Sequence, residues 1–206
     1  MKHDPLSDLA HFLVQSGWPT PLYWLLLVGS AGIAIHVFRR YSDQRSMEHF
    51  GRWAFRLLIG SMWWQQTLWK LPPDYPGLTY WMTELGKSAF LNLQADFVNN
   101  IVLPNFRLFA PAVYGLEALT AVSLMLGIGV RFWGVIGALQ IVNLWLGLYN
   151  AQGEWPWTYV FLIVLQLIFA LDRYGRSLGI DALIAARAAQ TPARSAIGRL
   201  IIEAAT

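Results

Sequence analysis

The sequence of 206 residues contains no cysteine. This absence excludes disulfide bonds, thiolate nucleophiles, Cys-ligated iron–sulfur clusters and CxxC redox chemistry within the chain. Histidine is scarce as well: His3, His11 and His49 lie outside the apolar segments defined below, and His36 stands alone near the end of one. The pair of facing histidines that holds a haem b is therefore missing. We expect no metal site and no covalently bound cofactor.

Charge is the second thing the sequence has little of. Charged residues make up 13% of the chain, roughly half of the ~25% that is usual in a soluble domain. Hydrophobic residues make up 56%, the mean hydropathy is +0.41, and 11 residues are tryptophan, which favours the membrane–water interface. We predict an all-α fold, a polytopic membrane helix bundle.

Five segments are apolar enough and long enough to cross a bilayer as helices, which takes about 20 residues. They are Pro21–Phe38, Trp53–Trp69, Leu108–Leu126, Phe132–Tyr149 and Pro156–Leu171. The last begins with a proline, which the first turn of a helix tolerates because its N–H has no partner there. The first seventeen residues lack the basic, apolar and small-residue order of a cleaved signal peptide, so we do not expect one.

The distribution of lysine and arginine predicts the orientation. If the chain alternates, eleven basic residues fall on one side of the membrane, and Lys2, Lys70, Lys87 and Arg107 fall on the other. The basic side is normally cytoplasmic, which puts the N-terminus outside and the C-terminus in the cytoplasm. No basic stripe with interleaved aromatics occurs, so we expect no nucleic-acid partner.

The segments divide the chain into three parts. Residues 1–51 hold an N-terminal transmembrane helix and a cytoplasmic loop, residues 52–184 a four-helix bundle, and residues 185–206 an amphipathic cytoplasmic tail. Within the bundle, residues 71–105 form an outer loop that opens with three prolines. Apolar residues then recur at helical spacing, which predicts one or two helices over the mouth of the bundle. The chain after Gly179 is expected to lie along the cytoplasmic interface.

Several polar residues fall at membrane depth. Glu117 lies at the middle of its segment, where a charge costs about 2.5–3.5 kcal/mol. Such side chains face inward and find partners. The residues expected to form this inner layer with Glu117 are Tyr114, Thr120, Gln140, Asn143, Gln66 and Gln166. Lys70, at the outer end of its segment, is expected to snorkel to the interface.

The layer has two interpretations. It can be structural, because interhelical hydrogen bonds stabilise membrane bundles by about 0.6 kcal/mol each. It can also be functional, because a protonatable carboxyl at that depth suits proton-coupled redox chemistry or ligand contact. For the glutamines we favour the structural interpretation, and for Glu117 the functional one.

From Arg52 to Ile184 the sequence resembles the DoxX/DoxD superfamily of small bacterial membrane proteins. The motifs that carry the resemblance are "WKLP", "YGLEALTAVSLMLGIGVRFWG" with its in-membrane Glu117, "NLWLG", "GEWPWTY" and "YGRSLGIDAL". The resemblance implies a four-helix core, to which the first helix is an N-terminal addition. It also implies a plasma (inner) membrane of a bacterium or archaeon, and the long outer loop is more similar to the DoxD branch.

DoxD is the small membrane subunit of a thiosulfate:quinone oxidoreductase and works with a separate partner subunit. The resemblance thus implies a quinone substrate, a second protein subunit and contact with the lipid bilayer. It carries no settled catalytic motif, and the sequence identifies no cofactor-binding residues. From the residues we take Glu117 as the candidate catalytic group. The candidate ligand-binding residues are Gln66, Tyr114, Gln140, Asn143, Lys70 and Arg107.

Whether the chain is itself an enzyme stays open at this stage. The alternative is a non-catalytic membrane scaffold or assembly subunit of a larger redox or respiratory complex, with the outer loop and the tail as contact surfaces. A small-solute transporter ranks last, because no inverted repeat and no broken pair of helices is visible.

Overall fold

The computed structural model describes residues 4–190 and 205–206 of the chain. These residues form nine α-helices and no β-strand, so the all-helical prediction is confirmed. The helices are α1 Pro5–Val14, α2 Pro19–Arg40, α3 Met47–Thr67, α4 Leu78–Ser88, α5 Asn92–Phe97, α6 Phe106–Leu126, α7 Val130–Gly147, α8 Pro156–Leu171 and α9 Ile180–Gln190. A π-helical turn, Val98–Val102, continues α5.

Three helices of the described part, α2, α6 and α7, are long and apolar enough to cross a membrane. Helix α8 is apolar but has 16 residues, and α3 has 21 residues but carries Arg52 and Arg56. Each of the five predicted segments has its centre in one of these helices. The structure is that of a candidate membrane protein whose apolar helices would contact lipid.

The bundle is built from two tightly packed helix pairs, α3 with α6 and α7 with α8. A tight turn links the pairs, because Gly127 and Gly129 both adopt left-handed backbone angles, with φ of 71° and 60°, that favour glycine. Gly134 lets α7 approach α8 closely: a Cβ at this position would lie 2.6 Å from the backbone nitrogen of Ala170. The core between the pairs contains Trp64, Leu124, Met125 and Phe169.

The two N-terminal helices pack against this core. Helix α2 is fixed by the Ser30 hydroxyl, which donates a 2.6 Å hydrogen bond to the carbonyl of Met125. Helix α1 is tied to α2, since the indole N–H of Trp24 donates to the carbonyl of Leu13 at 2.9 Å. The addition implied by the resemblance is therefore integrated into the bundle.

The predicted outer loop forms α4, α5 and the π-helical turn. Its apolar face, with Leu78, Met82, Leu85 and Val98, packs against Leu148 at the end of α7. This confirms helices at the mouth of the bundle, and we refer to this end as the α4–α5 end. The opposite end carries α9 and is called the α9 end.

The expectation for the tail was wrong at its start. Asp181 in the first turn of α9 has no exposed surface, and its backbone N–H donates to the carbonyl of Gly127 at 2.8 Å. The chain after Gly179 is thus anchored in the bundle and does not simply lie along a surface. Of the predicted tail 185–206, the part from 191 to 204 lies outside the described residues.

Candidate functional site

The candidate site is a buried ion pair between helices α3 and α6. The ammonium group of Lys70 contacts a carboxylate oxygen of Glu117. Both residues are buried, with 4% and 7% of their surface exposed. A charge that far from water needs a partner, and each of these residues supplies one for the other.

The local backbone turns Lys70 inward. Helix α3 ends at Thr67, and the chain continues as a 3₁₀ turn over Leu68–Lys70. Lys70 follows the buried residues Trp63 and Thr67 by seven and three residues, so helical spacing places it on the same inward face. The prediction that Lys70 snorkels to the interface is therefore wrong.

Aromatic rings surround the pair at the α4–α5 end. The Lys70 nitrogen lies 4.3 Å from the centre of the Trp69 ring, within the range of a cation–π contact. Tyr114, one turn before Glu117, packs edge-on against Tyr75 with ring centres 6.0 Å apart. It also interacts with the side chain of Thr67. Glu117 and Tyr114 thus share a helix face, as predicted.

Further polar residues extend the site along the bundle. Thr120, one turn after Glu117, is fully buried and accepts a 3.4 Å hydrogen bond from the Gln140 amide of α7. Gln166 of α8 is buried as well, and its amide lies against Gly137 of α7. This part of the predicted inner layer is present, and it joins α6, α7 and α8.

Three predicted site residues lie away from the pair on exposed surface. Gln66 accepts a hydrogen bond from the Trp69 indole at 3.2 Å, and Asn143 accepts one from Gln94 at 2.9 Å. Arg107 is exposed at the start of α6. The outer cation Lys87 pairs with Glu84 of its own helix at 2.9 Å. Lys70 and Lys87 are thus each paired with a carboxylate, while Arg107 lies on the exposed surface.

A second buried charge cluster lies at the α9 end, and sequence reasoning missed it. Arg56 of α3 has no exposed surface and donates to the carbonyl of Leu124 at 2.6 Å. The Asp181 carboxylate accepts from the N–H groups of Gly129 at 2.7 Å and Val130 at 3.1 Å. Burial raises the pKa of Asp181 above its ordinary value, while these N–H groups and Arg56 act in the opposite direction.

This cluster completes the ends of two helices. The last carbonyls of α6 and the first N–H groups of α7 have no partners within their own helices, and Arg56 and Asp181 supply them. One signal was present in the sequence, because Arg56 falls inside the apolar segment Trp53–Trp69. Asp181 gave none, because it lies in a segment that resembles a surface tail.

Two surface clefts of about 460 Å³ each lie elsewhere on the described surface. One is bounded by α1 and the end of α3, with Trp69 in its wall. The other lies at the start of α6, around Arg107. Glu117 lines neither of these two clefts.

No protein-family model, curated protein or solved structure matches this chain. The interpretation of the site therefore depends on its own geometry. That geometry offers a protonatable group with a charged partner, buried between apolar helices beside aromatic rings. Such a group can accept or release a proton while its partner balances the charge.

Proposed function

We propose that this chain is a DoxD-like integral-membrane subunit that passes electrons from thiosulfate to membrane quinone. In this proposal the Lys70–Glu117 pair handles the protons of quinone reduction. The observation that supports it is the burial of the pair within a bundle of apolar helices. Ionisable residues at such depth are costly, and in membrane proteins they commonly mark proton and substrate paths.

The proposed reaction balances as two thiosulfate dianions plus quinone plus two protons, giving tetrathionate and quinol. Each thiosulfate loses one electron, and the two sulfurs join. The quinone takes up both electrons and both protons. A protonated Glu117 can donate to a quinone oxygen, and the ammonium of Lys70 stabilises the carboxylate that remains.

The thiosulfate half of the reaction is assigned to a partner subunit. A dianion needs converging cations, whereas Lys70 is neutralised by Glu117 and Lys87 by Glu84. The sequence also contains no cysteine that could form a covalent link to sulfur. This division agrees with the two-subunit arrangement that the resemblance implies.

The test is the variant Glu117→Gln in the complex as it purifies in mild detergent. Thiosulfate-dependent reduction of a short-chain quinone is measured, with Glu84→Gln as the matched control, since it removes an acid from a more exposed ion pair. Loss of a positioned acid or base typically lowers turnover about 10²–10⁴-fold. We expect such a loss in Glu117→Gln and none in the control. Turnover of Glu117→Gln within twofold of wild type would overturn the proposal.

The second candidate function is a non-catalytic scaffold subunit. One observation favours it: the segment of α5 and its π-helical turn exposes Leu93 by 82% and Phe97 by 46%, a surface suited to contact with another protein. In that case Leu93→Asp would release a stoichiometric partner during mild-detergent purification. The quinone activity of the intact assembly would then be insensitive to Glu117→Gln.

A further inference from the structure

A cleft of about 460 Å³ lies between α1 and the end of α3. Asp8, His11 and Phe12 line it from α1, and Gln65 and Trp69 line it from α3 and the turn that follows. It is separate from the Lys70–Glu117 pair, but it shares a wall with the surroundings of that pair.

Helix α1 forms one side of this cleft. It is held by the contact of Phe12 with Tyr23, whose ring centres lie 4.9 Å apart, and by the hydrogen bond from Trp24. Its opposite face exposes Leu6 by 75% and Val14 by 77%. An amphipathic helix of this kind lies in the membrane interface with its apolar side chains toward the acyl chains. The cleft would then open where head groups and apolar tails meet.

The lining selects for one class of ligand. Among the described residues that line the cleft, Asp8 is the only charged one, and none is a lysine or arginine that could hold an anion. We therefore expect a neutral ligand here. Phe12 and Trp69 offer flat apolar surfaces on which a planar ring can pack. The amide of Gln65 and the imidazole of His11 can donate hydrogen bonds to ring oxygens.

The Trp69 ring lies next to both the cleft and the Lys70–Glu117 pair. Trp69 lines the cleft, and the Lys70 nitrogen lies 4.3 Å from the centre of the same ring. A molecule in the cleft is thus separated from Lys70 by Trp69.

We infer that this cleft binds the neutral, planar, hydrogen-bond-accepting head group of a membrane amphiphile, which enters from the interface beneath α1. The redox role of the ligand, as a quinone, rests on the proposed function. The location of its binding site rests on the cleft itself.

The test measures binding of a decyl-substituted benzoquinone to the full chain in phosphatidylcholine nanodiscs. Gln65→Leu and His11→Leu each remove one hydrogen-bonding group from the lining, and the expected result is a Kd about tenfold higher for each, since about 1.4 kcal/mol is lost. The matched controls are Gln152→Leu and His36→Leu, whose native side chains are exposed and do not line the cleft. Their Kd should be unchanged.

The outcomes distinguish failure of the cleft as the binding site from failure of the proposed quinone function. Saturable binding that is insensitive to Gln65→Leu and His11→Leu would overturn the cleft but leave the proposed function standing. Displacement of the quinone by millimolar thiosulfate would also overturn the cleft, because it would indicate an anion site. Absence of saturable quinone binding to the wild-type chain would overturn both.

Discussion

Removal of Lys70 is the most direct probe of the buried pair. Lys70→Met keeps an apolar stem of similar length and leaves the Glu117 carboxylate without its partner. Breaking a buried pair in this way destabilises a protein by about 3–5 kcal/mol. The loss of stability also has an upper limit, because the unpaired Glu117 can take up a proton and become neutral. Protonating a carboxyl with an ordinary pKa of about 4.3 costs about 3.7 kcal/mol at pH 7. The two values agree, so we expect a loss of about 3–4 kcal/mol at pH 7.

The stability of Lys70→Met should depend on pH, and the added substitution Glu117→Gln should restore part of it. In Lys70→Met the folded state holds a neutral Glu117, so the loss falls by about 1.4 kcal/mol for each unit that the pH drops below 7. Stability of this variant therefore decreases as the pH rises from 5 to 7. In Lys70→Met/Glu117→Gln no charge remains buried, and the residual loss is that of a buried amide, about 1–2 kcal/mol.

The measurement is reversible unfolding in mixed micelles with increasing dodecyl sulfate, followed by far-UV circular dichroism. The control is Lys87→Met, which breaks the more exposed pair with Glu84 and should change the free energy of unfolding by no more than about 0.5 kcal/mol. Two results would refute the reasoning. One is a free energy of unfolding of Lys70→Met within about 1 kcal/mol of wild type at pH 7, which is roughly one third of the expected loss. The other is a loss of stability that is the same at pH 5 and at pH 7.

Two further predictions use the same unfolding measurement. Gly134→Ala places a Cβ 2.6 Å from the backbone nitrogen of Ala170 and should destabilise the protein by about 1–3 kcal/mol. The control is Gly32→Ala, where a Cβ has nothing within 4 Å, and this variant should be as stable as wild type or slightly more stable. Equal effects of the two substitutions would contradict the close packing of α7 on α8. Asp181→Ala leaves the N–H of Gly129 without its acceptor and Arg56 without its nearby carboxylate, so we expect a loss of about 3 kcal/mol or more. A loss of less than about 1 kcal/mol would show that the cluster is not required.

The helices themselves were predictable from the sequence, since the signal is local. Long apolar segments form helices because only a helix satisfies its backbone groups without water, and all five predicted segments lie within helices or overlap them closely. The helices of the outer loop were predictable for a similar reason. Trp81 and Leu85 are four residues apart, and Leu93, Phe97 and Ile101 also recur at intervals of four, which is helical spacing. In both cases neighbours along the chain contain the information.

The inward direction of Lys70 was predictable from spacing, but its partner was not. Lys70 follows the buried Trp63 by seven residues, and seven residues of α-helix return a side chain to within about 20° of its starting direction. Spacing alone therefore places Lys70 on the buried face of α3. Glu117 lies on another helix, and no local pattern indicates which helices pack together.

The contact between α9 and the α6–α7 turn was unpredictable for another reason. Asp181 caps the N–H groups of Gly129 and Val130 across a long stretch of sequence, and no local pattern indicates such a pairing. These residues fall within the segments "LGIGVR" and "LGIDAL", which the fold brings together at the α9 end of the bundle.

The two buried charge clusters differ in what explains them. Arg56 and Asp181 bind backbone groups at helix ends, and those groups would lack partners without them. Structure alone accounts for their charges. Glu117 instead pairs with the side chain of Lys70, and two apolar residues of similar size could fill the same space with equal or greater stability. The Lys70–Glu117 pair is therefore the stronger candidate for a function, because the fold does not need its charges.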